Sequence, residues 1–344
     1  MYEIKIFNCK NSLHKRKFLF IFSLQSFLIM NLQEVILMKN FMKGLVIVLA
    51  FALLVACGKD TAKTNQKPNE TTNNQKTEEQ TDQKSDKLEG SITASGSSAL
   101  LPLAQDAADK FKEVEPNISI TVNGGGSGTG LKQVFDGSVD IGSSDVYAED
   151  KLEADKAKEL VDHKVCVVTM AAIVNNDIGE KVNDLTKDQL KKIFTGEIKN
   201  WSEVGGPDEK VLLVTRPDSS GTRALFTKYA LDGDTTQGDS YLETDNSGEL
   251  LETIKSNKGA IGYVALPYIL NNSDVTPVSI DGVKPSLETT YDGSYPVWGY
   301  EHMYTKGEPN EVVKAFIDYI MSDEYASHIE EQGYGATSNM KVER

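Results

Sequence analysis

Three stretches of the 344-residue chain set small hydroxyl residues and glycines between an apolar run and an amphipathic one: Ser95-Gly96-Ser97-Ser98, Asn123-Gly124-Gly125-Gly126-Ser127-Gly128-Thr129-Gly130, and Pro217-Asp218-Ser219-Ser220-Gly221-Thr222. An apolar run that ends in a Gly/Ser turn and resumes at helical spacing reads as strand, tight turn, helix. The first turns of such helices carry backbone N–H groups without intrahelical partners and the positive end of the macrodipole, so they can offer donors to an anion. Arg216 adds a planar, permanently charged fork just before the third turn, and Asp145 adds a carboxylate at the end of the short strand from Val139. A single turn of this kind would be an ordinary helix cap. Its repetition along the chain points to an anion site built from dipoles, hydroxyls and one guanidinium.

Other chemistries find less support. The glycine run lacks the Gly-Lys-Ser/Thr of a phosphate-binding loop and the Gly-x-Gly-x-x-Gly of a dinucleotide site. A nucleophilic serine needs a positioned base, yet the body has only His163, His302 and His328, none in a recognisable motif, so no catalytic residue is expected. The formal net charge of -15 argues against nucleic acid and anionic membrane surfaces. An acidic protein that binds an anion must do so locally. Cys9, Cys57 and Cys166 suit neither a disulfide framework nor a zinc site, and neither metal nor cofactor is expected.

The elements that must position these turns follow in order. Residues 38–56 have a short basic region and a short apolar run, the pattern of a secretory signal, and Leu54-Val55-Ala56-Cys57 looks like a bacterial lipobox with lipid attachment at Cys57. Residues 1–37, ahead of a complete signal, read as an extension from an upstream start codon. Residues 57–87 form a polar tether unable to bury enough surface to offset ordering entropy. From Leu88 onwards, strand candidates (Ser91 to Ala94, Ile118 to Val122, Lys164 to Val174, Val211 to Val214, Gly259 to Val264, Tyr295 to Tyr300) alternate with helical segments at Lys187 to Phe194, Gly248 to Ser256 and Glu311 to about Glu331. That alternation implies an α/β body with mostly parallel sheets, ligand sitting where strand-to-helix turns converge. Cys166, inside a continuous apolar run, reads as a core thiol.

The ordered set of motifs resembles the phosphate-binding lipoproteins (PstS type) of the bacterial phosphate ABC importer. It comprises Ala94-Ser95-Gly96-Ser97-Ser98-Ala99, Gly124 to Gly130, Asp140-Ile141-Gly142-Ser143-Ser144-Asp145 and Arg216 to Arg223, with Ile193 to Trp201 and Gly259 to Val264 in support. The resemblance implies a two-lobed, type II periplasmic-binding-protein-like fold with two crossing strands as hinge and the ligand in the cleft. Lobe one would be 88–171 plus 266–344, and lobe two 172–265. Phosphate contacts carried over by motif fall on Ser98, the Ala99 amide, Ser127, Asp145, Arg216, Ser220, the Gly221 amide and Thr222, with Asp218 pairing with and orienting Arg216. Ser98-Ala99 stands where the enterobacterial form has a Thr-Phe pair, so any part played by Ala99 is that of its amide. The implied partners are inorganic phosphate, a transmembrane permease with its ATP-binding subunits, and the membrane through a lipid anchor on the extracytoplasmic face, as at a Gram-positive cell surface. Sulfate, molybdate or tungstate would be the alternative ligands; Asp145 favours phosphate, which keeps a proton to donate to a carboxylate where sulfate has none. A secreted hydrolase is the reading of a different class.

Overall fold

The computed structural model describes residues 88–235 and 241–344; the signal segment, Cys57, the tether and the 1–37 extension lie outside the described residues. In chain order the main elements are β1 (Gly90–Gly96), α1 (Leu101–Val114), β2 (Ile118–Gly124), α2 (Ser127–Phe135), β3 (Ile141–Ser144) and β4 (Leu160–Asn175). There follow β5 (Asp184–Leu185), α3 (Lys187–Phe194), β6 (Leu212–Thr215), α4 (Gly221–Ala230), β7 (Tyr241–Glu243), α5 (Ser247–Ser256), β8 (Ala260–Ala265), β9 (Val275–Pro277) and β10 (Ser279–Ile280). β11 (Trp298–Lys306), α6 (Glu311–Ile320) and α7 (Asp323–Glu331) complete them.

Local sequence accounts for several of these boundaries. α1 has Pro102 in its first turn, where a missing N–H costs nothing, and buries Leu103, Ala104, Ala107, Ala108 and Phe111 along one stripe. α3 starts at a capping box in which Thr186 and Gln189 satisfy each other's backbone amides. Gly96, at the end of β1, has φ +141°, and a Cβ there would lie 2.1 Å from the Ser143 carbonyl. Only glycine lets β1 turn this tightly against β3.

Among the described residues the strands form a sheet in the order β2-β1-β3-β11-β4-β8-β6-β7, with β9 also on β4. β1 runs parallel to β2 and β3, and β6 parallel to β7 and β8, as strand-helix alternation requires. The strands between these two groups are antiparallel: β11 lies between β3 and β4, and β4 pairs with β8. β4 is the strand that passes from one lobe to the other. Its first part, to Thr169, pairs with β11, and its second, from Met170, with β8 and β9. Buried on both sides along most of its length, it reads as one apolar run, and Cys166 is fully buried within it. In lobe two Phe194, Phe226 and Tyr263 form an aromatic cluster, Phe226 stacked on Tyr263 at 4.4 Å. Each such ring contributes about 1.5–3 kcal/mol on burial.

Three boundaries differ from the sequence reading. Residues 275–280, assigned there to lobe one, pair with the far end of β4 and with β5, both elements of lobe two. Pairing partners at long range decide this, and nothing local in Val275 to Ile280 announces it. The C-terminal helical stretch is two helices, because Ser322 caps the second by accepting the Tyr325 amide. The strand expected from Tyr295 to Tyr300 runs instead from Trp298 to Lys306.

Candidate functional site

The helices α1, α2, α4 and α5 begin beside one another at the cleft. Ser97, ahead of α1, accepts the Ala99 and Leu100 amides on its hydroxyl at 3.0 and 2.9 Å. The Ala99 amide, expected to face the ligand, is therefore occupied within its own turn. Ser98 is buried, and its hydroxyl accepts from Arg216 Nη1 at 3.1 Å. α2 begins at Ser127, whose hydroxyl accepts the Asp145 amide at 3.0 Å and lies 3.3 Å from Asp145 Oδ1. Asp145, at the end of β3, is buried and also accepts from Thr222 Oγ1 at 2.7 Å. Ser220 caps α4 by accepting the Arg223 amide at 3.2 Å.

Arg216 is fully buried, and every nitrogen of its fork is placed. Nε donates to the Thr244 carbonyl at 3.0 Å and Nη2 to the Asp245 carbonyl at 2.8 Å, while Nη1 reaches Ser98 and Ser247. Burial pulls the guanidinium below its ordinary value, opposed first by the field of Asp145. The charge is held by backbone carbonyls of lobe two and aimed at lobe one. Asp218 does not hold Arg216. Its carboxylate lies on the surface, 3.1 Å from Arg223 Nη1, because the turn directs residue 218 outward while Arg216 points into the cleft. Arg223 in turn donates to the Arg216 carbonyl at 2.7 Å, so the acidic residue supports the turn at one remove.

Two residues missed in the sequence belong to this site. Ser247, at the start of α5, is buried with its hydroxyl 2.9 Å from that of Ser98 and 3.2 Å from Arg216 Nη1. Its signal was present in Asp245-Asn246-Ser247-Gly248, another polar and glycine turn opening a helix. Lys151 reaches across from lobe one to donate to the Asp218 carbonyl at 2.6 Å. Burial lowers its pKa, against the pull of Asp218 and Asp145.

The lobes meet closely here. Gly128 donates its amide to the Ser219 carbonyl at 2.9 Å across the cleft. A Cβ at Gly221 would lie 2.1 Å from Ser127 Oγ and 2.9 Å from Asp145 Cβ, so this crossing is possible only for glycine. Ser98, Ser127, Asp145, Arg216, Ser220, Gly221 and Thr222 thus lie together at the cleft. The histidines have other partners: His302 Nδ1 is 2.8 Å from Asp162, His163 Nε2 is 3.3 Å from Thr305 Oγ1, and His328 is 3.5 Å from Glu331.

Two α/β lobes joined through the long strand β4, with helix N-termini and a buried arginine at the cleft, define a substrate-binding protein of the periplasmic type. The model of the PBP superfamily domain matches residues 71–324. The phosphate-binding protein PstS of Bacillus subtilis is 53% identical over 260 residues, covering 75% of this chain and 84% of that protein. PstS of Staphylococcus haemolyticus is 29% identical over 265 residues, covering 73% and 82% respectively. The chain belongs to the PstS family, whose members are transport receptors and not enzymes. A crystal structure from Clostridium perfringens, described as a phosphate ABC transporter substrate-binding protein with bound phosphate, superposes with a TM-score of 0.67 at 30% identity, covering 72% of this chain and all of that one. An ABC-type phosphate transport receptor from Vibrio cholerae gives 0.57 at 27% identity, over 71% and 99%.

Proposed function

We propose that the chain is an extracytoplasmic receptor that binds inorganic phosphate between its lobes and delivers it to an ABC-type import permease. One observation carries this reading: a buried arginine of lobe two and a buried carboxylate of lobe one face the same cleft among helix N-termini. Arg216 supplies charge-assisted donors, the turns at Ser127 and Ser220 to Thr222 supply hydroxyls and amides, and Ser98 and Ser247 complete the donors on Arg216's side. The hydroxyls and the fork already bond one another across the cleft, so an entering anion exchanges those contacts for its own oxygens and leaves few groups to desolvate. Asp145 accepts only. A ligand that retains a proton can satisfy it, whereas sulfate would leave it facing negative charge. Titration calorimetry of the purified protein with phosphate and then sulfate tests this: stoichiometric phosphate binding with weak or absent sulfate binding is expected, and equal binding of both would overturn it.

The lobes close on the ligand about the strands joining them, and the closed form is what the permease and its ATP-binding subunits receive. A lipid on Cys57 would hold the receptor at the membrane while residues 57–87 act as a tether. Cys57→Ser should release the protein from the membrane fraction or leave it uncleaved, and removal of residues 1–37 should leave export intact.

A further inference from the structure

Glu301, on β11, is a buried acid that the proposed phosphate contacts do not use. Its side chain is fully buried; neither carboxyl oxygen has a partner in full hydrogen-bond geometry among the described residues, and the Asp145 carboxylate and Ser97 hydroxyl are the polar side chains near enough to act on it as hydrogen-bond partners. In the antiparallel pairing of β11 with β3, His302 stands opposite Ser144, which puts Glu301 and Asp145 at the adjoining positions. The groups around it come from every neighbouring element: Asp145 beyond β3, Ser97 beyond β1, Cys166 on β4, Tyr268 after β8 and Tyr334 after α7. The tyrosine hydroxyls already donate to the carbonyls of Ser98 and Ala99. No cation is among the described groups that act on its charge.

A carboxylate out of water and beside a second carboxylate, with the Ser97 hydroxyl as its opposing donor, is strongly disfavoured in its charged form. Burial foremost, and then Asp145, hold the Glu301 carboxyl well above the usual range. A neutral carboxylic acid has one O–H to donate, and the adjacent acceptor is Asp145.

We propose that Glu301 is a positioning residue for Asp145: it keeps its proton at neutral pH and donates it to the Asp145 carboxylate, so that the two acids present a single negative charge to the ligand. This rests on the reading of Asp145 as the group that faces phosphate. Thr222, Ser127 and Glu301 then fix the carboxylate from three sides and leave a lone pair for the ligand's proton. When Glu301 ionises, a second charge stands beside the anion and binding weakens, so affinity is present below the titration of the pair and lost above it.

The test compares the wild-type protein with Glu301→Gln, which keeps the shape and a donor but cannot ionise. Phosphate affinities are measured from neutral into alkaline pH, and their ratio cancels the ligand's own titration. The ratio should be flat near neutrality and then fall for the wild type by up to about tenfold per pH unit, the limit for one proton. A ratio independent of pH overturns the proposal. Infrared spectra of the ligand-free proteins should show a protonated-carboxyl carbonyl band in the wild type at neutral pH that Glu301→Gln lacks. Should that variant not fold, wild type labelled with carbon-13 glutamate must show the band shifted by the label, and its absence overturns the assignment. A protein with the band but no affinity for phosphate would instead overturn the receptor reading.

Discussion

Thr222 Oγ1 donates to Asp145 Oδ2 at 2.7 Å, tying the first turn of α4 in lobe two to the end of β3 in lobe one. The bond joins a neutral donor to a group that can only accept, and Ser127 approaches the other carboxyl oxygen at 3.3 Å. The chemistry of this corner of the cleft is therefore set by what Asp145 can receive.

Asp145→Asn replaces an acceptor with a group that also donates. Sulfate binding should improve relative to phosphate, because the amide can serve a deprotonated oxyanion that a carboxylate repels. Calorimetry with both anions measures it. A loss of the same factor for both would make Asp145 a structural residue.

Arg216→Ala removes a buried guanidinium from four partners at once. Phosphate affinity should fall by at least about 2 kcal/mol, with only partial rescue in Arg216→Lys, since a point charge cannot reproduce the fork. Small-angle scattering should show less complete closure with phosphate added, as the ligand then biases the lobes less. Near-wild-type affinity in Arg216→Ala would place the anion site elsewhere.

For Asp218→Ala the expected change is small. Its carboxylate is on the surface beside Arg223, and exposed pairs of this kind contribute little, so affinity should stay within about fivefold of wild type. A collapse of binding to the level of Arg216→Ala would show that Asp218 does orient the arginine.

Gly221→Ala adds one methyl where Ser127 Oγ would be 2.1 Å away, on the opposite lobe. The lobes must then stand apart, and phosphate affinity should drop by at least roughly tenfold while each lobe keeps its packing. Titration together with a thermal melt separates blocked closure from unfolding. Unchanged affinity would mean that the two turns do not meet in the bound form.

Much of the site was legible because its signals are local. A serine at a helix start and a strand feeding a turn are each settled within a few residues, so the turns that hold Ser127, Ser220 and Thr222 could be placed before any fold was known, whereas the need for glycine at 221 comes from Ser127 and Asp145 on the other lobe. Ser247 has the same local pattern but lies just outside the helix read from Gly248 to Ser256, and its meaning depends on which other turns lie nearby. The Asp218 reading failed because proximity in sequence does not fix the direction of a side chain: the turn sends Arg216 inward and Asp218 out to Arg223.

By itself the sequence determined the alternating α/β order, the apolar run of β4, the hydroxyl and glycine turns, and the presence of one arginine and one aspartate suited to an anion. The tertiary structure alone decided that β4 carries the chain between lobes, that residues 275–280 pair with β4 and β5, and that Glu301 lies beside Asp145. Helix caps and turns are governed by a residue and its near neighbours. Sheet register and burial are set by partners far along the chain, and the antiparallel pairing of β11 with β3 is what brings two acids together out of water.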